Sequence, residues 1–254
     1  MVEKHRPSVL IGIMNHSGIV QEAVAASRMQ LVGKTKALLP DIEMELGLIY
    51  PHDIVAGRWE LAKMAVALHK DFLFFLDADM LVPEHALYIM VNMNTDIVSG
   101  LGFTNSVDAP MPSLYIQIPE KDRKEKDKPY TPLLFYDKAR APVMSVDAVG
   151  LFCCLIKTSV FEKMAADHGS YIEWYNPFER EGTGEDFSFC RRAKESGFQV
   201  LVRTDVKCGH YPRWPAIIDE ELYFQRRAAG AYGVVDLDAS FNPIDADGNI
   251  RTSI

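Results

Sequence analysis

Two carboxylates stand at the exit of an apolar strand, and that position gives them chemistry to do. Asp77-Ala78-Asp79 follows directly on the apolar run 72–76. Ligands of open α/β sheets bind beyond the carboxyl ends of strands, so both side chains are placed where a site is expected. Two carboxylates two residues apart in an extended chain can approach one divalent cation and the phosphate oxygens it bridges. The spacing alone carries nothing, because the chain repeats it in Asp236-Leu-Asp238 and Asp245-Ala-Asp247. Context singles out the first triplet: a five-residue apolar strand before it and a helix start at Pro83 after it. The last triplet, followed by Gly248 and Asn249, lacks the spacing and the closing Glu of a calcium loop.

A second cluster is Glu181-Gly-Thr-Gly-Glu185-Asp186-Phe-Ser-Phe-Cys190, in which glycines relax the backbone ahead of a helix. Acidic residues in a first helical turn serve as caps or dipole partners. The functional alternative is a carboxylate aimed into a cleft as a general base that activates an acceptor hydroxyl. Nearby, Trp174 and Tyr175 offer either an aromatic face for a sugar or apolar acceptor, or core packing. His210 follows the run 198–202 and the loop 203–209. A lone histidine is ordinarily a surface or satisfied core residue. Joined with the carboxylates, it makes an Asp/His donor set that suits Mn²⁺ or Mg²⁺ better than a thiolate-loving metal.

The elements that must position these groups alternate between strand and helix, which is the α/β signature. Residues 8–14, bounded by Pro7 and a polar loop, read as a buried strand. The spacing predicts a helix over 20–39, stopped by Pro40, a strand over 42–50 and a helix over 59–69. Beyond the strand 72–76 come a helix over 83–92 and a short strand over 96–99. The charged run 121–128, between Pro119 and Pro129, reads as a solvated loop or as a flap over a ligand. The second half resumes with a strand over 146–156 and a helix over 158–166. A loop over 173–184 then leads to a helix over 186–195, closed by Gly197 at the position after its C-cap. A strand over 198–202 and an amphipathic helix over 217–229 complete the pattern.

Composition sets the outer bounds. The chain has 254 residues, 48% of them apolar and 24% charged, an ordinary globular mix with ample material for a core. Lys and Arg number 27 against 35 Asp and Glu, a net charge of −8 that disfavours bulk binding of nucleic acid. Four cysteines, with no C-x-x-C pair, exclude a disulfide scaffold and a thiolate zinc site and read as reduced thiols. No targeting segment and no stretch long enough to span a membrane is evident, so a soluble, cytoplasmic chain is expected.

Taken together, Phe75-Leu76-Asp77-Ala78-Asp79, then Val146-Asp-Ala-Val-Gly150, then Gly184-Glu-Asp-Phe-Ser-Phe-Cys-Arg-Arg192, followed by Gly197 and His210, resemble the GT-A glycosyltransferases. They are most similar to the compact family-2-like enzymes of bacteria, archaea and phages, and the resemblance runs from Ser8 to Tyr211. It implies an α/β fold with a Rossmann-like, mixed but mostly parallel central sheet flanked by helices. One catalytic domain would span 1–212, with a nucleotide-binding half to about 100, an acceptor half after it, and a helix and tail over 213–254. Asp79 and His210 would bind the divalent metal, and Asp77 would contact the ribose or a metal-bound water. Asp186 would be the base, with Glu185 orienting the acceptor or serving as an alternate base. Asn15, His16 and Tyr50 fall near the base pocket, and Arg58 falls where relatives place an arginine near the nucleotide. Ala78 lies in the donor-binding triplet, and Gly150 would let the backbone approach the donor sugar. Relatives often carry Ala-Arg-Asn where this chain has Gly57-Arg58-Trp59, and Pro-Thr-Tyr-Asn where it has Met14-Asn15-His16.

The expectation is therefore a metal-dependent transfer of a sugar from a nucleoside-diphosphate sugar, UDP-linked by preference, to a carbohydrate or other hydroxyl acceptor. Inversion in a single displacement is favoured. A nucleotidyltransferase would want a glycine-rich, basic phosphate loop after the first strand, which residues 12–18 lack. Two further readings stay open: a non-catalytic sugar- or nucleotide-binding module, and a phage-type enzyme acting on hydroxymethylated DNA bases. The DNA reading draws on the basic run that contains Lys124, Lys126 and Lys128.

Overall fold

The computed structural model describes residues 6–15, 18–51, 53–123, 129–133, 142–169, 174–175, 184–213, 216–229, 236–237 and 243–244. The chain opens with β1 (Ser8–Met14), α1 (Glu22–Leu38), β2 (Glu43–Ile49), α2 (Ile54–Ala67) and β3 (Phe72–Asp77). The short β4 (Met80–Leu81), α3 (Ala86–Met93), β5 (Ile97–Leu101), β6 (Leu114–Gln117), β7 (Tyr130–Pro132), β8 (Val143–Val146) and β9 (Ala148–Val149) follow. Then come β10 (Cys153–Lys157), α4 (Thr158–His168), α5 (Glu185–Glu195), β11 (Val200–Lys207), β12 (Gly209–Arg213), β13 (Ala216–Ile218) and α6 (Glu220–Ala228). A two-stranded ladder of β14 (Asp236–Leu237) and β15 (Pro243–Ile244) is the last described element.

The central sheet has seven strands in the order β2-β1-β3-β10-β5-β11-β8. Strands β2, β1 and β3 are mutually parallel, as are β5 and β11, while β10 and β8 run against their neighbours. The fold is thus mixed α/β, with a mostly parallel sheet between helices. Period-two alternation sorts the core. Phe72, Phe74 and Leu76 of β3 join a cluster with Leu31 of α1 and Met90 of α3 on one face. Leu73 and Phe75 join Leu61 of α2, Phe161 of α4 and Phe189 of α5 on the other.

Most expected boundaries hold to within a few residues, and four do not. The helix expected from residue 59 begins at Ile54, behind Asp53, whose carboxylate caps it by accepting from the Ala56 amide at 2.8 Å. The strand expected over 146–156 is split, because residues 150–152 turn the chain from the small sheet β7-β6-β9 into the central one. The run expected to stop at residue 202 continues as β11 to Lys207, with a register shift between Arg203 and Lys207. The C-terminal helix starts at Glu220, because residues 216–218 pair with β12 and Asp219 caps the helix, its carboxylate accepting from the Leu222 amide at 3.0 Å. That helix buries Tyr223, whose ring lies 5.4 Å from Phe103, in the same core cluster as α2, α4 and α5. Gly197 takes φ +92°, the left-handed conformation expected after α5. No described helix is long and apolar enough to cross a membrane.

Candidate active site

β3 ends at Asp77, and the next two residues turn the chain into β4. β4 pairs with β12 so that Met80 faces His210, and the Tyr211 amide donates to the Asp79 carbonyl at 2.8 Å. This pairing sets His210 Nε2 2.9 Å from Asp79 Oδ2, joining residues 131 apart in sequence, while Nδ1 lies 3.4 Å from the Phe103 carbonyl. Burial alone would lower the pKa of His210, but the hydrogen bond and charge of Asp79 outweigh it and hold the imidazolium above its ordinary range. Burial likewise opposes ionisation of Asp79, and His210, helped by Arg28, brings that carboxyl below its usual value.

The other carboxylates gather around Arg58, which is 1% exposed on α2. Its Nη2 lies 3.5 Å from Asp77 Oδ2 and 3.4 Å from Asp186 Oδ1, and its Nε lies 3.6 Å from Glu185 Oε1. Nη1 donates to the Leu151 carbonyl at 3.2 Å, and the guanidinium carbon sits 5.2 Å from the centre of the Phe75 ring. The flanking turn over 150–152 supplies more of this framework: the Asp77 amide donates to the Phe152 carbonyl at 2.9 Å. Gly184 precedes α5, so Glu185 and Asp186 occupy its first turn and point to the end of the central sheet where Asp77 emerges. Burial pushes Asp186 well above the usual carboxylate range. Arg58 pulls it back, and the charges of Glu185 and Asp77 push it further up. Asp77 is raised as well, by burial first; Arg58 and His210 pull it back, and the charges of Asp79 and Glu185 push it up.

Four carboxylates (Asp77, Asp79, Glu185 and Asp186) thus share two arginines, Arg58 and Arg28, and one histidine. With Asp186 favouring its neutral form and His210 its imidazolium, the cluster is near charge balance; its oxygen and imidazole donors are of the kind that suits a hard divalent cation, which would take His210 deprotonated. Asp79 and His210 are the pair able to hold it. Among the described residues no group of three His, Cys, Asp or Glu side chains converges on one point. Asp77, expected beside them, has one oxygen turned to Arg58, and its Oδ1 has no hydrogen-bond partner among the described residues.

Several expected site residues have different surroundings from those anticipated. Arg58 is closed off by carboxylates, a carbonyl and a ring, so it orders the acidic residues and offers no face to a nucleotide. Trp174 and Tyr175 are fully buried, with Trp174 stacked on Phe161 at 6.0 Å and Tyr175 on Phe189 at 5.3 Å. Rings this enclosed present no face to an acceptor, so these two belong to the core. A Cβ on Gly150 would lie 2.6 Å from the Phe152 ring, so the space the missing side chain leaves is filled by phenylalanine. Asn15 and Tyr50 do come together, just past the paired residues Met14 and Ile49 at the ends of β1 and β2. Asn15 is buried, its Oδ1 accepting from the Gly18 amide at 3.0 Å, whereas Tyr50 is exposed. Ala78 lies in the turn between β3 and β4, and His16 lies outside the described residues.

Arg28 carries no motif that marks it in the sequence. It sits on α1 next to Ser27, on the side of the helix that carries the buried Val24 and Leu31. A cation on the buried side of a helix is itself a signal that a partner waits there.

No protein-family model matches the chain, and no curated protein sequence matches it. Among solved structures it is similar to A197 from STIV, at 17% identity, with 85% of this chain and 91% of that one covered and a TM-score of 0.50. TarS 1–349 of S. aureus matches at 13% identity over 79% of this chain and 58% of that one, with a TM-score of 0.39. An apo UDP-glucose pyrophosphorylase matches at 6% identity over 89% and 98%, with a TM-score of 0.42. The likeness to A197 is one of fold, and it extends over most of both chains.

Proposed function

We propose that this chain is a metal-dependent glycosyltransferase that moves a sugar from a nucleoside-diphosphate sugar, UDP-linked by preference, to a hydroxyl of a carbohydrate or similar acceptor. The observation that carries this reading is the gathering of Asp77, Glu185 and Asp186 around buried Arg58, beside the Asp79–His210 pair, at the carboxyl end of the sheet. A carboxylate whose pKa is held above the usual range by burial and by Glu185 and Asp77 is a stronger proton acceptor than an ordinary one. Asp186 takes the acceptor proton as the hydroxyl oxygen bonds to the anomeric carbon. The sugar–phosphate bond breaks, and its electron pair leaves on the diphosphate. One displacement of this kind inverts the anomeric centre. Glu185 orients the acceptor, and Asn15 and Tyr50 flank the nucleoside. Asp79 and His210 would hold Mn²⁺ or Mg²⁺, which when bound neutralises the charge growing on the leaving diphosphate.

Thermal-shift measurements with UDP, GDP, CDP and dTDP, each with and without Mn²⁺, test the reading. A ligand at a hundred times its dissociation constant adds about 2.7 kcal/mol of stability. A rise in melting temperature with one nucleotide, UDP by preference, and only with metal is the expected result. No rise with any of the four overturns the proposal.

A further inference from the structure

We infer that Arg28 binds the diphosphate of the donor, contacting its oxygens through guanidinium N–H groups; the inference rests on the reading given under Proposed function. The residue is fixed close to the site by its helix. The neighbouring Ser27 Oγ accepts from the Val82 amide at 3.1 Å, which pins α1 to the segment following β4. From there Arg28 Nη2 donates to the Asp77 carbonyl at 3.3 Å, and the charges of Asp79 and Asp77 both act on the guanidinium.

The two arginines of the site differ in what they have left to offer. Arg58 is enclosed on all sides by three carboxylates, a carbonyl and a ring. The Nε of each lacks a hydrogen-bond acceptor among the described residues, but Arg58 Nε has the Glu185 carboxylate 3.6 Å away, whereas Arg28 makes no ion pair with a carboxylate among them. An unpaired charged donor away from water is costly, and the cost is relieved when a ligand brings the acceptor. A planar fork of N–H donors beside the metal-binding carboxylate matches phosphate oxygens in charge and geometry. There it would stabilise the charge that collects on the diphosphate as the sugar departs, in addition to the metal.

The experiment is calorimetric titration in Mn²⁺ with the nucleoside diphosphate that stabilises the wild-type chain, the matching nucleoside, and inorganic pyrophosphate. Wild type, R28M and R28K are compared, with melting temperature reporting the fold. R28M is expected to weaken the diphosphate and pyrophosphate about tenfold or more while leaving the nucleoside within about twofold. R28K, a point charge without the fork, should fall between. An equal loss for all three ligands would mean that Arg28 merely tethers the Asp77 turn, and it overturns the inference, as does no loss at all. Should R28M fail to fold, R28K decides by the same comparison. If the wild-type chain binds no nucleotide, the glycosyltransferase reading falls first and this inference with it; wild-type binding that R28M leaves untouched overturns this inference alone.

Discussion

Asp186 stands at the point where stability and chemistry pull in opposite directions. Its carboxyl is raised by burial and by neighbouring Glu185 and Asp77, so the folded chain holds that proton more tightly than the unfolded chain does. A raised carboxyl pKa subtracts stability as pH climbs from the ordinary carboxylate range through the folded value, and subtracts nothing below that range. Asp186→Asn should therefore leave the melting temperature unchanged near pH 4 and raise it by about 2–4 °C near pH 8. Arg58 would still face Asp77 and Glu185. The same substitution should abolish turnover while sparing nucleotide binding, and the wild-type rate should rise with pH along a limb above the usual carboxylate range. A variant that is both active and no more stable at pH 8 would remove Asp186 from the role of base. The residues of this site were legible in sequence where a motif carried them, as Asp77, Asp79, Glu185 and Asp186 did. The role of Arg58 was not, since its partners Asp77, Glu185 and Asp186 come from two other elements and only folding brings them together.

Among the elements, β1 was readable to the residue, because Pro7 and a polar loop bound one uninterrupted apolar run. The break between β9 and β10 was hidden for the opposite reason. The run 146–156 is apolar almost throughout, and hydropathy does not mark a passage from one sheet to another. At that break Phe152 packs where Gly150 and Gly102 leave room. A Cβ on Gly102 would come within 2.3 Å of its ring, and one on Gly150 within 2.6 Å. Gly150→Ala should cost about 1–3 kcal/mol in denaturant titration, the usual range for overpacking. Phe152→Leu in the same chain should recover part of that loss, a coupling that a double-mutant cycle reads directly. Additive effects of the two changes would show that the ring and the glycine do not share the space. The aromatic pair Trp174 and Tyr175 read equally as an acceptor face or as core, and burial in a helical segment within the expected loop decides for the core.

At the scale of the molecule, the long separations matter. Arg58 and the Leu151 carbonyl lie 93 residues apart, and His210 and Asp79 lie 131 apart, yet these contacts define one site. Closing such loops is entropically costly, so folding is expected to be slower than in a chain of local contacts. A fragment ending at Leu101 would carry Asp77, Asp79 and Arg58 but not the strand between β3 and β5. That fragment should give the collapsed amide dispersion of an unordered chain by NMR; a well-dispersed spectrum would show that the first hundred residues fold alone. The reversed strand β10 has one more consequence. Because a strand from late in the chain is wedged between two from early in it, the first hundred residues and those that follow are interleaved like the fingers of clasped hands. No single cut separates them, so neither portion can be exchanged as a cassette, and new function has to be written into the loops at the sheet's rim while the strands stay where they are.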